Sequence, residues 1–186
     1  MRIIGGTHKG RIVHPPGNLD LRPTTDFAKE SLFNILNNRI YFEDCSVLDL
    51  FCGTGSISFE FASRGAKSVT AVDGNHNCTA FIKAEAAKLG FDKLFVLRSD
   101  VFKYLKSCSN KFDIIFADPP FALENIEEIH KLVFEKELLN PGGHLVIEHG
   151  KKTDLSSKTH FEELRTYGNV NFSIFRTPAE NTENTI

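Results

Sequence analysis

The sequence predicts a doubly wound α/β fold. Its sheet is mostly parallel and seven-stranded, with an antiparallel strand in a C-terminal hairpin, and a small β-hairpin stands at the N-terminus. Three observations predict it. Short apolar runs alternate with amphipathic stretches through five units. Some of those runs, such as Ile114-Ile115-Phe116-Ala117, are continuously apolar, as strands buried on both faces are. Two β-prone runs, Phe161 to Tyr167 and Val170 to Arg176, flank Gly168-Asn169, a hairpin signal.

The 186 residues, 41% hydrophobic and 25% charged, suit one soluble globular domain with a small appendage. A formal net charge of -2 excludes a strongly basic nucleic-acid binder, so any positive field must be local. Through Arg39 the chain has six basic and three acidic side chains, +3, which leaves -5 for the rest. No apolar run reaches the roughly 18 residues of a membrane span. MRIIGGTHKGR lacks the apolar core of a secretory signal. Cys45, Cys52, Cys78 and Cys108 form no C-x-x-C pair and are expected as free thiols in the cytoplasm.

In order, residues 1–14 are expected as a hairpin around a Gly-rich turn, basic through Arg2, Lys9 and Arg11. A Pro/Gly loop leads to Leu21-Arg22-Pro23-Thr24-Thr25-Asp26, where Thr25 or Asp26 can cap a helix over Phe27 to Arg39. Strands are expected at Ser46 to Phe51, Ser68 to Val72, Leu94 to Leu97, Phe112 to Ala117 and His144 to Glu148. Helices are expected from Ile57 to Ser63, from an Asn75 or Asn77 cap to Leu89, after Asp100, and from about Asn125 to Leu138. Residues 150–159 are polar and loop-like, and His149 is expected at the surface. The domain plan is therefore 1–25 as basic hairpin and loop, 26–177 as the main domain, and 178–186 as a disordered tail.

Ligands of open α/β sheets bind at the carboxyl ends of the strands, and there this sequence places acids. Asp49 precedes Gly53-Thr54-Gly55, Asp73 and Asp100 end the next two strands, and Asp118 ends the fourth. Gly53 and Gly55 permit a tight turn into a helix whose first N–H groups are free. Asp73 can accept both hydroxyls of a ribose, Asp100 an adenine amine, and Asp49 the ammonium of an amino-acid tail. That set favours S-adenosylmethionine over a dinucleotide, whose third glycine is Ser58 here. A nicotinamide-dependent oxidoreductase also leaves Asp118-Pro119-Pro120-Phe121 without a task. This last step can hold a weakly nucleophilic amine. The Asp118 side chain and the Pro119 carbonyl take its hydrogens, and Phe121 stacks on the planar substrate.

RIIGGTHKGR, LRPTTD with KESLFNIL, LDLFCGTGSIS and FADPPF, together spanning residues 1 to 121, resemble the RsmD family. These are bacterial small-subunit ribosomal RNA guanine-N2 methyltransferases with the Rossmann-like class I S-adenosylmethionine-dependent fold. The resemblance implies methyl transfer to guanine N2, with Asp118, Pro119 and Phe121 at the amine. It implies Asp49, Gly53, Gly55, Asp73 and Asp100 around the cofactor, a set that Phe51 and Val101 complete. It sets Arg2, Lys9, Arg11, Arg22 and Thr24 toward RNA; a monomer without metal is expected, and the near-neutral net charge suits an assembled or assembling 30S particle as substrate. Phe27 stands where the family usually has Arg, and Asp73 where it usually has Glu. Two rivals share the motifs or the fold: methylation of adenine N6 or a protein glutamine, and a non-catalytic ribosome-binding module. Competing substrates distinguish the first, and cofactor titration the second.

Overall fold

A computed structural model describes residues 1–17 and 26–179. The helices are α1 (Asp26–Asn37), α2 (Ser56–Ser63), α3 (His76–Leu89), α4 (Val101–Ser107) and α5 (Glu127–Glu135). The strands are β1 (Ser46–Leu50), β2 (Ser68–Asp73), β3 (Leu94–Arg98), β4 (Phe112–Ala117), β5 (Leu139–His149), β6 (Phe161–Tyr167) and β7 (Val170–Arg176). They form one sheet in the order β3-β2-β1-β4-β5-β7-β6. The first five are parallel, and β7 enters antiparallel between β5 and β6. The chain reverses its strand order beside β1, so the ends of β1 and β4 flank a crevice.

Two apolar layers cover the sheet. Val47, Ile114, Phe116 and Phe172 face α1–α3, where Phe33 and Phe61 fill the space. Leu48, Ile115, Leu145 and Phe175 face α4 and α5. Neighbouring residues of β1 and β4 thus join opposite layers, which is why Val47-Leu48 and Ile114 to Ala117 are continuously apolar.

Several boundaries differ from expectation. β5 begins at Leu139, because Asn140-Pro141-Gly142-Gly143 remains bonded despite its turn-like composition. The register against β4 slips there, from Phe112↔Leu139 to Ile114↔His144. A bulge tolerates a proline that cannot donate. The Gly142 N–H donates to Pro178 O at 2.9 Å, and the Thr177 N–H to Gly143 O at 3.0 Å. Pro178 and Ala179 therefore belong to the folded body; the rest of the expected tail lies outside the described residues. α5 is shorter than predicted, since Glu137 turns left-handed at φ 50°. His149 is buried at 2% exposure, its Nε2 2.7 Å from Ser173 Oγ, and so is not a surface residue. β7 covers it, which its own neighbours in sequence do not indicate.

The expected N-terminal hairpin forms as a short antiparallel pair about the Arg2↔Ile12 bridge, with a 3-10 turn at Gly6–His8 between its arms. Backbone bonds hold its two arms together, Ile3 N–H to Arg11 O and Val13 N–H to Met1 O, both at 2.9 Å, and further groups dock on α2. The Ile4 N–H donates to Glu60 Oε2 at 2.9 Å, and Ser63 Oγ donates to Gly5 O at 2.6 Å. Gly6, at φ 71°, lies so close that a Cβ would meet Ser63 O at 1.9 Å. Lys29 is 1% exposed and donates from Nζ to Arg2 O and, at 3.2 Å, to Ser56 Oγ. Burial holds its ammonium below the ordinary lysine value. Of the two proposed helix caps, Asp26 opens α1 and Thr25 lies outside the described residues.

Candidate active site

The carboxyl ends of β1, β4 and β5 open on a cleft of about 990 Å³. Five strand ends in spatial order carry acids: Asp100 after β3, Asp73 on β2, Asp49 on β1, Asp118 after β4 and Glu148 on β5. Asp49, Phe51, Gly53, Asp73, Asp118, Pro119 and Phe121 all line the cleft.

On the β1–β2 side the polar groups are engaged with the fold itself. Asp49 is 1% exposed and accepts from Ser58 Oγ on α2. Burial pushes its carboxyl up to about 7 against that hydrogen bond, and the neighbouring charges of Asp118 and Asp73 add to the rise. Asp73 Oδ2 accepts the Gly53 N–H at 2.9 Å, and Oδ1 accepts the Asn75 N–H at 2.7 Å. Asp73 thus clamps the glycine loop to the end of β2. Each of its oxygens retains a second acceptor position. Asn75 caps α3 as expected, accepting from the Asn77 N–H at 2.8 Å. Phe51, directly after β1, is left-handed at φ 57°, a conformation uncommon for a bulky residue and concentrated at functional turns. Gly55 caps α2 at φ 79°, where a Cβ would meet Ile82 Cγ1 at 2.9 Å.

On the β4–β5 side the chain leaves β4 at Asp118-Pro119-Pro120, and Phe121 stands 62% exposed at the mouth. Phe116 forms part of the wall, with Asn169 and Val170 from the β6–β7 turn. Glu148 is 4% exposed, and its Oε2 has no hydrogen-bond partner among the described residues. Burial pushes its carboxyl up to about 8, and the Asp118 charge pushes the same way. Lys151 and Lys152 follow along the wall.

Three expected cofactor residues stand outside these walls. Gly55 shapes the loop from behind. Asp100 caps α4, its Oδ1 accepting the Lys103 N–H at 2.8 Å, and Val101 is buried in the core. Of the expected RNA-facing residues, Arg2 pairs with Asp26 at 3.6 Å, and Lys9 and Arg11 are exposed. Arg22 and Thr24 lie outside the described residues. The segment does reach the rim: Thr54 Oγ1 lies 3.5 Å from Met1 Sδ, and Thr54 lines the cleft.

Glu148, Lys151 and Lys152 were not among the expected site residues. Their position just past an apolar strand, at the ligand end of the sheet, was the available signal. The four cysteines are free and buried. Among the described residues no cluster suits a metal ion, and no helix is long and apolar enough to cross a membrane.

A sheet in this order, with an antiparallel strand set between the fifth and the last, is that of the class I S-adenosylmethionine-dependent methyltransferases, and this chain is one of them. Within that class it belongs to the family described as Conserved hypothetical protein 95, the RsmD family, whose model matches residues 1–176. It is 32% identical over 182 residues to ribosomal RNA small subunit methyltransferase D of Haemophilus influenzae, covering 95% of this chain and 93% of the relative. To YlbH of Bacillus subtilis, an rRNA methyltransferase by name, it is 31% identical over 183 residues, covering 95% and 98%. The solved structure of yhhF from Escherichia coli, a methyltransferase by name, superposes with a TM-score of 0.85 at 27% identity. That match covers 97% of this chain and 99% of the other.

Proposed function

We propose that this protein methylates the exocyclic N2 amine of a guanine in small-subunit ribosomal RNA, using S-adenosylmethionine. The observation that carries the proposal is the meeting of Asp118-Pro119-Pro120-Phe121 with Asp49, Gly53 and Asp73 in one cleft. The relatives named for small-subunit ribosomal RNA support the substrate class.

When bound, S-adenosylmethionine supplies an electrophilic methyl group. Asp73 is suited to its ribose hydroxyls and Asp49 to its ammonium, with Phe51, Gly53 and Gly55 shaping the loop between them. Asp100 and Val101, at the next strand end, serve the adenine side. Aniline-like nitrogens are poor nucleophiles because their lone pair is delocalised. Asp118 and the Pro119 carbonyl hold the two amine hydrogens, turn the nitrogen toward the cofactor side, and stabilise positive charge arising on it. Phe121 stacks on the base, which must be unpaired or flipped to enter. Arg2, Lys9, Arg11, Lys151 and Lys152 face phosphates, and Arg22 and Thr24 complete the RNA-facing set. An assembled or assembling 30S particle, met by a monomer in the cytoplasm, fits the near-neutral net charge.

Mass-spectrometric mapping of methylguanosine in ribosomal RNA from cells lacking the gene tests the proposal. One N2-methylguanosine should disappear and return on complementation with the wild-type gene, and not with Asp118→Ala. A full complement of N2-methylguanosine in the deletion strain overturns the reading.

A further inference from the structure

Glu148 has no role in the mechanism above, yet it is the most anomalous side chain in the cleft. It is 4% exposed, it lines the cavity, and its Oε2 lacks a hydrogen-bond partner among the described residues. Buried carboxyl oxygens are ordinarily bonded, because an unpartnered one has lost water and gained nothing. Asp49 and Asp73, in the same cavity, follow that rule through Ser58 and through the Gly53 and Asn75 N–H groups. One other buried side-chain atom among the described residues lacks a partner, His144 Nδ1 in the middle of the same strand. His144 does not line the cleft, so its unpartnered nitrogen says nothing about a ligand there.

The position of Glu148 indicates what would satisfy it. β4 and β5 pair in parallel with Ala117 opposite Ile147. Asp118 and Glu148 are the next residues on the two strands, on backbones about 4.8 Å apart. The two acids therefore present acceptors side by side to whatever occupies the cleft. A guanine's pairing edge presents the matching pattern, a ring N1–H directly beside the N2 amine. An adenine presents a lone pair at N1 beside its N6 amine, which an acceptor oxygen repels.

We propose that Glu148 is the residue that reads the ring: its Oε2 receives the N1–H of the guanine whose N2 amine Asp118 and the Pro119 carbonyl hold. The assignment rests on the guanine-N2 reading above. It makes Glu148 a substrate-contacting specificity residue, and it explains why the fold retains a buried acceptor that none of the described residues satisfies. Three donors on one rigid edge would then be fixed by three acceptors, which sets both the plane of the base and the aim of its amine. Phe121, at the mouth of the same cleft, would cover the face of the ring. A protein glutamine has the amine but no ring N–H, so Glu148 also separates the base from an amide side chain.

The test uses the full chain, radiolabelled S-adenosylmethionine and small ribosomal subunits from cells lacking the gene, with the product nucleoside identified by mass spectrometry. Glu148→Leu fills the same space without an acceptor, and Glu148→Gln keeps one acceptor oxygen. Glu148→Leu should lower kcat/KM for the subunit roughly 10- to 100-fold, the discrimination typical of losing a base-edge contact. Cofactor affinity by calorimetry should be unchanged and the melting temperature equal or higher. Glu148→Gln should recover part of the loss. Wild-type kcat/KM in Glu148→Leu overturns the proposal, as does an equal loss in both variants accompanied by lowered melting temperatures, which marks a structural role. A wild-type enzyme that forms no N2-methylguanosine overturns the guanine reading, and this assignment with it. That result is visible in the wild-type product before any variant is compared.

Discussion

The two halves of the cleft treat their acids differently. On the β1–β2 side, Asp49 accepts from Ser58 Oγ and Asp73 from the Gly53 and Asn75 N–H groups, while Asp100, just outside the walls, accepts the Lys103 N–H. Those bonds fix their rotamers and the loop between them before any ligand arrives. On the β4–β5 side, Glu148 presents a buried oxygen that the described fold leaves unbonded. The first half is preorganised by the protein. The second, on the proposal above, is completed by the substrate, and in the free enzyme burial keeps its Glu148 carboxyl protonated rather than charged. Preorganised acceptors lose little on binding, whereas an unsatisfied one gains selectively from the ligand that fits it.

The largest expected effect comes from Asp118, which stands where the two halves meet. Asp118→Ala should lower methyl transfer by roughly 10²–10⁴-fold, the range typical of a removed proton-handling side chain, with calorimetric cofactor affinity intact. On the preorganised side the expectation is reversed. Asp73→Ala removes the acceptor of the Gly53 and Asn75 N–H groups and should weaken cofactor binding by roughly 10- to 100-fold, since hydrogen bonds to charged groups contribute about 1.5–3 kcal/mol each. Equal cofactor loss in the two variants would erase the distinction between the halves.

A smaller effect concerns stability. Glu148 is raised from 4.5 to about 8 and Asp49 from 3.8 to about 7, both first of all by burial. Each holds a proton in the folded state that the unfolded chain has already released. Unfolding therefore releases protons, and stability falls as pH rises. The contribution is complete below about pH 4 and lost by about pH 8. Melting temperature should decline between pH 5 and pH 8, and Glu148→Leu should flatten the upper part of that decline, leaving the Asp49 part. A wild-type and variant pair with parallel curves would show that Glu148 is not buried in solution. The smallest effect belongs to the rim. Lys151→Ala and Lys152→Ala should each raise KM for the subunit a few-fold and reduce the logarithmic salt dependence of binding by about one.

The strands and the cofactor loop were legible because their information is local. Ile114 to Ala117 is a buried strand by composition, Gly53-Thr54-Gly55 a turn by glycine chemistry, and Asn75 a cap by its side chain. The limits of β5 were not legible. Pro141 and the glycines beside it resemble a turn, and the bonds that hold them come from Thr177 and Pro178, more than thirty residues away. Lys29 and Glu60 had the same property: polar residues on amphipathic helices, buried because the N-terminal segment folds over them.

By itself, the sequence determined the order of elements, the acids at the strand ends and the Asp118-Pro119-Pro120-Phe121 step. Each of these is fixed by side-chain type and spacing along one segment. The tertiary structure alone decided which acids are satisfied, that His149 is interior, and that Glu148, Lys151 and Lys152 share a wall with Asp118. Burial and hydrogen-bond partnership are set by strands distant in sequence, and the function of a carboxyl group depends on both.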